Sequence, residues 1–405
     1  MQLARRTLLA SMIASAASPA VLRLARADAP QVTLKLHHFF SAVSSGHNKF
    51  LAPWARKVEA ESAGRIRIDI FPSMQLGGAP AQLFDQARDG LADIVWAVPG
   101  STPGRFARIE AFELPFVPLH RALVNSKAIQ DYASANLQDE FREVHPICFS
   151  CRDHGVLHAN RTIQSVGDLK GLKLHVPNRL AGETVRALGG QGVTAPIPQV
   201  PTAIAAHAID GCLDPWDVVP GLRLHDLLKT HTDFAESSLS TTAFVLAMNK
   251  AAYDRLPQEL KSVINNNSRQ TAAGMAGAMW DLDAAAVADM VRQRGDAVTT
   301  LTAEQIAPWR KATEPVIATW LRQMRERKVN GGKLVADARA LVAKYANEPE
   351  PQPPPPPEPK IAAQPEQPPQ VKAATPKVET PAAAPAAKIA PAAKPVPPKE
   401  LEIPL

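Results

Sequence analysis

Apolar and polar residues alternate in some stretches of the chain and follow a longer period in others. Residues 32–36 and 66–70 carry apolar side chains at every second position, which is typical of half-buried β-strands. Between them Phe50, Trp54 and Val58 recur every four residues, which predicts an amphipathic α-helix. The folded part of the chain therefore begins as strand, helix and strand.

The same alternation continues to about residue 294. The further elements that the pattern predicts are helices at 83–90, 181–188 and 200–208 and strands at 94–96, 172–176 and 193–198. Residues 258–294 contain no proline and predict one helix of roughly 50 Å, long enough to connect two lobes. Gly274 and Gly277 lie inside it, and each weakens it by about 1 kcal/mol. Repeated strand–helix–strand units imply an α/β fold with a largely parallel sheet.

Residues 1–27 have the layout of a secretory signal peptide. Arg5 and Arg6 precede an apolar stretch at 7–21, and small residues follow up to Ala27. The apolar stretch is too short to span a membrane, which takes about 20 residues. We expect cleavage after Ala27 and export to the periplasm. The ordinary secretory route is favoured over the twin-arginine route, at which the arginine pair hints.

Residues 349–405 differ in composition from the rest of the chain. They contain 19 of the 38 prolines and few large apolar residues, so they cannot bury enough surface to offset the loss of chain entropy. We expect a disordered tail of polyproline II character. This tail is either a docking arm, whose partner is unknown, or a solubilising appendage. The folded part is then residues 28–348.

The net charge of +6 does not indicate a nucleic-acid-binding protein. Residues 1–27 contribute +4 and the tail contributes none, so residues 28–348 carry about +2, from 35 basic and 33 acidic side chains. That part contains no run of Lys and Arg, which a nucleic-acid binder concentrates on one face. Aromatic residues make up only 5% of the chain, which argues against a platform on which bases stack.

The common catalytic and phosphate-binding motifs are missing, and no cofactor is predicted. We find no Gly-x-Gly-x-x-Gly after a strand, no Gly-x-x-x-x-Gly-Lys-Ser/Thr, no His-Glu-x-x-His and no Gly-x-Ser-x-Gly. Cys148 and Cys151, followed by His154 and His158, are too closely spaced for a zinc finger. We expect the two cysteines to pack in a buried strand, and we predict neither a metal site nor an enzyme.

Five groups of residues resemble the motifs of one family in the same order along the chain. They are Phe71–Gly77 with Ala87–Asp93, Glu113–Phe116, Asp168–Pro177, Ile209–Gly211 and Met248–Pro257. These segments resemble the DctP-type periplasmic solute-binding subunits of tripartite ATP-independent periplasmic (TRAP) transporters. The similarity runs from about residue 32 to about residue 345.

The resemblance implies two α/β lobes, built from discontinuous segments and joined by crossing strands and a long helix. Such lobes close on one small ligand in the cleft between them. The family's ligand is usually a carboxylate, which is delivered to the two membrane permease subunits without covalent chemistry. The sequence thus predicts a periplasmic binding protein for an organic acid. An exported sensor or enzyme on the same scaffold is the alternative, because a fold does not fix a function.

The chain departs from the family at residues that usually bind the carboxylate. His175 stands where relatives have the arginine of Lys-Ile-Arg-Val-Pro, and Asp214 stands where many relatives have asparagine. Histidine offers one donor and is only partly charged near neutral pH, whereas arginine is a permanent two-pronged cation. If both residues face the cleft, a simple anion fits less well. A ligand that is not a carboxylate is therefore an alternative.

Further residues are candidates for binding the ligand. Arg152 follows a predicted strand at 147–151 and is the first candidate to replace the lost arginine, and Arg179 is the second. His37, just after the first strand, could reach a polar group of the ligand. The aromatic candidates, which could form apolar walls or stack on a ring, are Trp96, Trp216 and Phe244. They favour a bulky or aromatic acid over a small dicarboxylate.

Overall fold

The computed structural model describes residues 29–348, so the predicted signal peptide (1–27) and the predicted tail (349–405) lie outside the described part. The strands are β1 (Val32–His38), β2 (Ile66–Phe71), β3 (Ile94–Ala97), β4 (Val144–Cys151), β5 (Val156–Ala159), β6 (Lys173–His175), β7 (Gln191–Val193), β8 (Gly211–Asp214), β9 (Thr230–Asp233), β10 (Ala243–Asn249) and β11 (Ala297–Thr300). The α-helices are α1 (Ala52–Glu61), α2 (Leu83–Asp89), α3 (Ala122–Asn136), α4 (Arg179–Ala187), α5 (Val200–Ala205), α6 (Val218–Gly221), α7 (Lys250–Asp254), α8 (Gln258–Asn266), α9 (Gln270–Gln293), α10 (Ala303–Glu326) and α11 (Gly331–Ala346). No helix within residues 29–348 is long and apolar enough to cross a membrane.

Most of the predicted elements are confirmed. The stretches of period two are β1 and β2, the predicted strands at 94–96 and 172–176 are β3 and β6, and the three short helices are α2, α4 and α5. The strand predicted at 193–198 is wrong beyond Val193, where β7 ends. Pro196 and Pro198 follow, and proline cannot donate a hydrogen bond to a neighbouring strand.

The strands form two mixed sheets, one in each lobe. The first sheet has the order β2-β1-β3-β10-β4, and the second has the order β11-β9-β5-β8-β6-β7. β10 runs antiparallel to β3 and β4, and β5 runs antiparallel to β8 and β9, whereas pairs such as β1 and β2 are parallel. The prediction of a largely parallel sheet is therefore correct for five of the nine strand pairs and wrong for the four that contain β5 or β10. The chain enters β5 and β10 directly from the opposite sheet rather than through the helical crossover that a parallel neighbour needs.

Two extended crossings and one helix connect the lobes. The first crossing (152–155) leads from β4 to β5, and the second crossing (234–242) leads from β9 to β10. The crossings pair with each other, since the Arg152 N–H donates to the Thr242 carbonyl at 2.9 Å. Helix α9 is the third connection, because it packs on β4 of the first sheet and leads into β11 of the second. The predicted fold of two lobes with crossing strands and a connecting helix is confirmed.

The first sheet is covered by a hydrophobic core on each face. Successive residues of a strand point to opposite faces, so each strand contributes to both cores. Val95 and Val245 point to a core that also contains Tyr132 of α3 and residues of α2, α10 and α11. Trp96 and Phe244, the neighbours of those two valines in sequence, point to a core formed with α1, α8 and α9. The core with α1, α8 and α9 also contains Trp280 and lies on the face to which these two aromatic rings point.

The single helix predicted at 258–294 is wrong, because the chain leaves the helical path between α8 and α9. Arg269 has a φ of 54°, a conformation that a right-handed helix cannot contain. The residues before it, 265–268, are three asparagines and a serine, which have low helix propensity. The side-chain amide of Asn267 also donates to the Val263 carbonyl and so closes the end of α8. α9 alone, with 24 residues and a length of about 36 Å, links the lobes.

Helix α9 is held against α3 by a close approach of their backbones. A Cβ added at Gly277 would lie 2.6 Å from the Leu123 Cα and 2.8 Å from the Ala122 carbonyl oxygen. Asp281, one turn further along α9, accepts hydrogen bonds from the N–H groups of Ala122 and Leu123 at 2.5 and 3.0 Å. These are N–H groups that the first turn of a helix leaves without a partner. Both contacts position the middle of α9, which carries Trp280.

Gly277 and Gly274 provide a matched test of this contact. Gly277→Ala is expected to lower the free energy of unfolding by about 1–3 kcal/mol, because the new methyl group meets backbone atoms of α3. Gly274→Ala, whose added Cβ meets no neighbouring atom within 4 Å, is expected to raise it by up to about 1 kcal/mol, because alanine favours helix. Urea unfolding followed by circular dichroism measures both changes, and equal effects would contradict the packing argument.

Candidate functional site

Aromatic rings from several elements meet at one edge of the first sheet. The members of this aromatic cluster are Phe39, Phe40, Trp96, Phe244 and Trp280. The centroid of the Trp96 ring lies 4.8 Å from that of Phe244, 5.1 Å from that of Phe40 and 6.1 Å from that of Trp280. The edge is formed by the carboxyl ends of β1 and β3 and by the start of the antiparallel β10. Open α/β sheets bind their ligands at this edge.

The guanidinium group of Arg152 lies over two rings of the cluster. Its Cζ is 5.6 Å from the ring centroid of Phe40 and 5.2 Å from that of Trp280, distances at which a cation is attracted to a ring face. Arg152 opens the first crossing, so the hydrogen bond between the crossings also positions its backbone. Only 9% of Arg152 is exposed, and a buried charge of this kind needs a partner.

Asp217, which follows β8 in the second lobe, is the partner of Arg152. Its Oδ1 accepts from Nε at 3.0 Å and its Oδ2 accepts from Nη2 at 2.5 Å, so the pair is two-pronged. Burial raises the pKa of Asp217, Arg152 lowers it, and the negative charges of Asp153 and Asp283 raise it again; the pKa is higher than usual on balance. Of the five N–H groups of a guanidinium, three form no hydrogen bond to the described residues.

Two further charged groups surround this pair. Lys49 donates to the Asp283 carboxylate at 2.5 Å. His154, in the first crossing, has its Nδ1 at 2.7 Å from Asp153 and its Nε2 at 2.8 Å from Asp233. Because both partners are acceptors, both ring nitrogens donate and the ring is a cation. Burial lowers the pKa of His154, but the two aspartates raise it more, to well above its usual value.

His175 and Asp214 form a buried pair within the second sheet. The His175 Nδ1 lies 2.6 Å from Asp214 Oδ2, and its Nε2 lies 3.1 Å from the Ala195 carbonyl oxygen. Both partners accept, so the imidazole donates from both nitrogens and carries a positive charge. Burial lowers the pKa of His175, but the Asp214 carboxylate and the Ala195 carbonyl raise it above the usual value on balance. The hydrogen-bonding capacity of His175 is therefore used within the lobe.

Trp216 is placed in the core of the second lobe. Its ring centroid lies 5.2 Å from that of His158 and 5.4 Å from that of His231. It also packs against Val287 and Val291 of α9. Within residues 29–348, its ring therefore contacts histidines of the second sheet and no ring of the aromatic cluster.

His37 and Arg179 are each held by hydrogen bonds to neighbouring groups, none of which belongs to the aromatic cluster. The His37 Nδ1 donates to Gln86 at 2.7 Å, and its Nε2 accepts from the Leu76 N–H at 3.3 Å. Burial lowers the pKa of His37 more than the Gln86 bond raises it, so the ring is neutral at pH 7. Arg179, at the start of α4, donates to Glu183 at 2.7 Å and to Glu110 at 2.9 Å.

The cysteines and histidines that are close in sequence do not come together around one point. Cys148 and Cys151 lie buried in β4, as predicted for a packed strand. His154 is bound by aspartates, and His158 lies 2.7 Å from the Nδ1 of His231. Within residues 29–348 no group of three or more His, Cys, Asp or Glu side chains could hold a metal ion.

The structure thus brings together Arg152, Trp96 and Phe244 from the sequence-predicted candidates. Sequence reasoning missed the other members of the site, which are Phe39, Phe40, Asp217 and Trp280. The two phenylalanines follow β1 directly, and that position at a strand end is a signal that could have identified them. Trp280 lies within a long apolar helix and Asp217 in a loop, so neither carries a local signal.

A family comparison covers most of the described chain. Residues 36–323 match DctP, the bacterial extracellular solute-binding proteins of family 7. A curated relative from Comamonas testosteroni, described as the outer membrane transporter protein TsaT, is 24% identical over 338 residues, which cover 82% of this chain and 97% of the relative.

Two solved structures are similar in both sequence and fold. A TRAP solute-binding protein from Rhodoferax ferrireducens, in complex with copurified benzoate, is 38% identical with a TM-score of 0.74, covering 78% of this chain and 98% of that one. A marine metagenome TRAP solute-binding protein specific for aromatic acids, in complex with 3-hydroxybenzoate, is also 38% identical, with a TM-score of 0.75 and coverages of 78% and 99%. This chain therefore belongs to family 7 of the bacterial extracellular solute-binding proteins, the DctP family.

Proposed function

We propose that this solute-binding protein captures an arylcarboxylate between its two lobes. The observation that carries the proposal is the position of Arg152, a buried cation over the rings of Phe40 and Trp280 that keeps unused N–H donors. An arylcarboxylate has the two features that such a site selects. Its anionic end suits the guanidinium group, and its flat apolar body suits the surrounding rings.

The ligands of similar proteins support the same class. The Rhodoferax ferrireducens protein holds benzoate, and the metagenome protein holds 3-hydroxybenzoate. Both are 38% identical to this chain over nearly their whole length. The aromatic cluster of this chain gives a physical reason for the same preference, because a small dicarboxylate would leave the rings without an apolar partner.

In this proposal the His175–Asp214 pair stabilises the second lobe and does not bind the ligand directly. Both His175 nitrogens already have acceptors within the lobe. Compared with an arginine and an asparagine, the pair lacks one positive charge. Arg152 supplies the cation that the carboxylate needs. Trp96 and Phe244 are walls of the site, whereas Trp216, His37 and Arg179 hold the surrounding structure.

The proposed physiological role follows from the family. Its members are extracellular solute-binding proteins, and we propose that this one is exported, cleaved after Ala27 and located in the periplasm. There it passes its solute, chemically unaltered, to the membrane permease subunits of a TRAP transporter. For residues 349–405 we propose two alternative roles, which are a tether that docks on a partner and a solubilising appendage.

Arg152→Lys is expected to weaken benzoate binding about 10- to 100-fold, because one ammonium group cannot hold Asp217 and a ligand carboxylate in the same two-pronged way. Isothermal titration calorimetry measures the change. The matched control is Arg223→Lys, since Arg223 is exposed and pairs with Asp226 on the surface. This control should bind as the wild type does. An Arg152→Lys variant with wild-type affinity would show that the carboxylate is held elsewhere.

The ligand class is tested by thermal-shift measurements on the purified protein with benzoate, 3-hydroxybenzoate, succinate and benzylamine. The aromatic acids are expected to raise the melting temperature, and saturation at 100 times Kd corresponds to about 2.7 kcal/mol of added stability. Succinate should have little effect, because it offers no ring. Stabilisation by benzylamine alone would refute the carboxylate and favour the predicted alternative of a different ligand class.

Asp214→Asn is expected to destabilise the protein more at about pH 5.5 than at about pH 8. The pKa of His175 is raised above 6.5 in the folded state, so its contribution to stability is complete below 6.5 and is lost as the pH rises through the folded-state pKa. Removing the Asp214 charge removes that contribution. Urea unfolding at both pH values measures the difference in free energy of unfolding between the wild type and the variant. If that difference does not become smaller as the pH rises, the charged pair is disproved.

A further inference from the structure

We propose that solute capture by this protein is coupled to the uptake of a proton by Asp217. The proposal rests on the proposed function, since it concerns the same site. Asp217 is an internal carboxylate that already occupies part of the guanidinium group of Arg152. A ligand carboxylate that binds to the remaining N–H groups must share that cation with Asp217.

The arrangement places two carboxylates on one buried cation. The Arg152–Asp217 pair has side-chain exposures of 10% and 17%, so little water is available to screen the repulsion between the carboxylates. When two carboxylates share such a site, one of them holds a proton more tightly. A protonated Asp217 can still accept a hydrogen bond from Arg152 through its carbonyl oxygen. The protein can therefore keep its internal contact while it binds the anion.

The charges around Asp217 are already unfavourable for another anion. The groups that face it are Arg152 and Asp153 from the first crossing and Asp283 from α9. The groups paired with these are Lys49, His154 and Asp233. Within this described set, three cations face four carboxylates. A bound arylcarboxylate adds one more negative charge, and one proton compensates for it.

Asp217 is the member of this set that most readily takes the proton. Asp153 is paired with His154, and Asp283 is paired with Lys49, so each has a cation that the ligand does not contact in this proposal. Asp217 instead shares its cation with the ligand. Burial and the charges of Asp153 and Asp283 also raise the pKa of Asp217 before any ligand is present. In the balanced step, the anion and one proton enter together, and the proton forms an O–H bond on Asp217.

The coupling fixes the sign of the pH dependence. The bound anion raises the pKa of Asp217 above its value in the ligand-free protein. Between these two values the complex holds up to about one more proton than the free protein, so Kd rises about tenfold for each pH unit. Below the lower value Asp217 is protonated in both states, and Kd no longer changes. Capture therefore weakens as the pH rises through this window.

The test is calorimetric titration of the full exported protein with benzoate in phosphate and in Tris at matched pH, between about pH 6 and pH 8.5, where the ligand itself stays ionised. The proposal expects the measured enthalpy to differ between the buffers by the amount that uptake of up to about one proton requires, and expects Kd to rise with pH. Normal binding without proton uptake overturns the proposal and leaves the proposed function intact. A lack of arylcarboxylate binding overturns the proposed function itself.

A variant tests whether Asp217 is the residue that takes up the proton. Asp217→Asn removes the competing charge, and it is expected to bind benzoate more tightly than the wild type at about pH 8, without proton uptake. The control is Asp226→Asn, because Asp226 is a surface carboxylate that pairs with Arg223; it should keep the wild-type proton uptake. Uptake that persists in Asp217→Asn would place the proton on another group and overturn the proposal. If that variant does not fold, infrared difference spectra of the wild type must show a new protonated carboxyl group when benzoate binds, and its absence overturns the proposal.

Discussion

A buried cation needs a nearby anion, and this constraint organises the centre of the protein. Arg152 opens the first crossing, where its backbone bond to Thr242 holds it among aromatic rings and away from water. An unpaired guanidinium group in such a place would cost several kcal/mol. Asp217 of the second lobe removes that cost with a two-pronged contact. The pair therefore joins the two lobes at the place where we propose that the solute binds.

Each of the three connections between the lobes contributes to the same site. The first crossing supplies Arg152, the strand that follows the second crossing supplies Phe244, and α9 supplies Trp280. A change in the angle between the lobes must bend these connections, so it also moves the side chains that they carry. In our proposal, hinge closure and ligand contact are therefore one process, as the mechanism of two-lobed binding proteins requires. The backbone contact between Gly277 and α3 keeps one side of this arrangement in place.

The family resemblance implies an arginine at position 175, and the histidine that stands there is a cation paired with Asp214. His175 and Asp214 satisfy each other in the second sheet, and the Ala195 carbonyl takes the remaining His175 donor. A buried pair of this kind is costly to break, because removal of one partner leaves an uncompensated charge. In our proposal the cation available to a solute is Arg152, which is in contact with the aromatic cluster. In our proposal, charge recognition and ring recognition are therefore located at the same place.

Periodicity and turn residues determined most of the strand and helix pattern, because they report the local environment of each segment. The two-lobe class came from the resemblance of the sequence motifs to a known family. The sequence also indicated Arg152, Trp96 and Phe244 as candidates, since these residues lie at or near strand ends. Only the tertiary structure decided that Asp217, 65 residues from Arg152, is its partner, that Trp280 reaches the same rings, and that β5 and β10 run antiparallel. These outcomes depend on which distant segments the lobe crossings bring together, and a local sequence pattern carries no record of such distances.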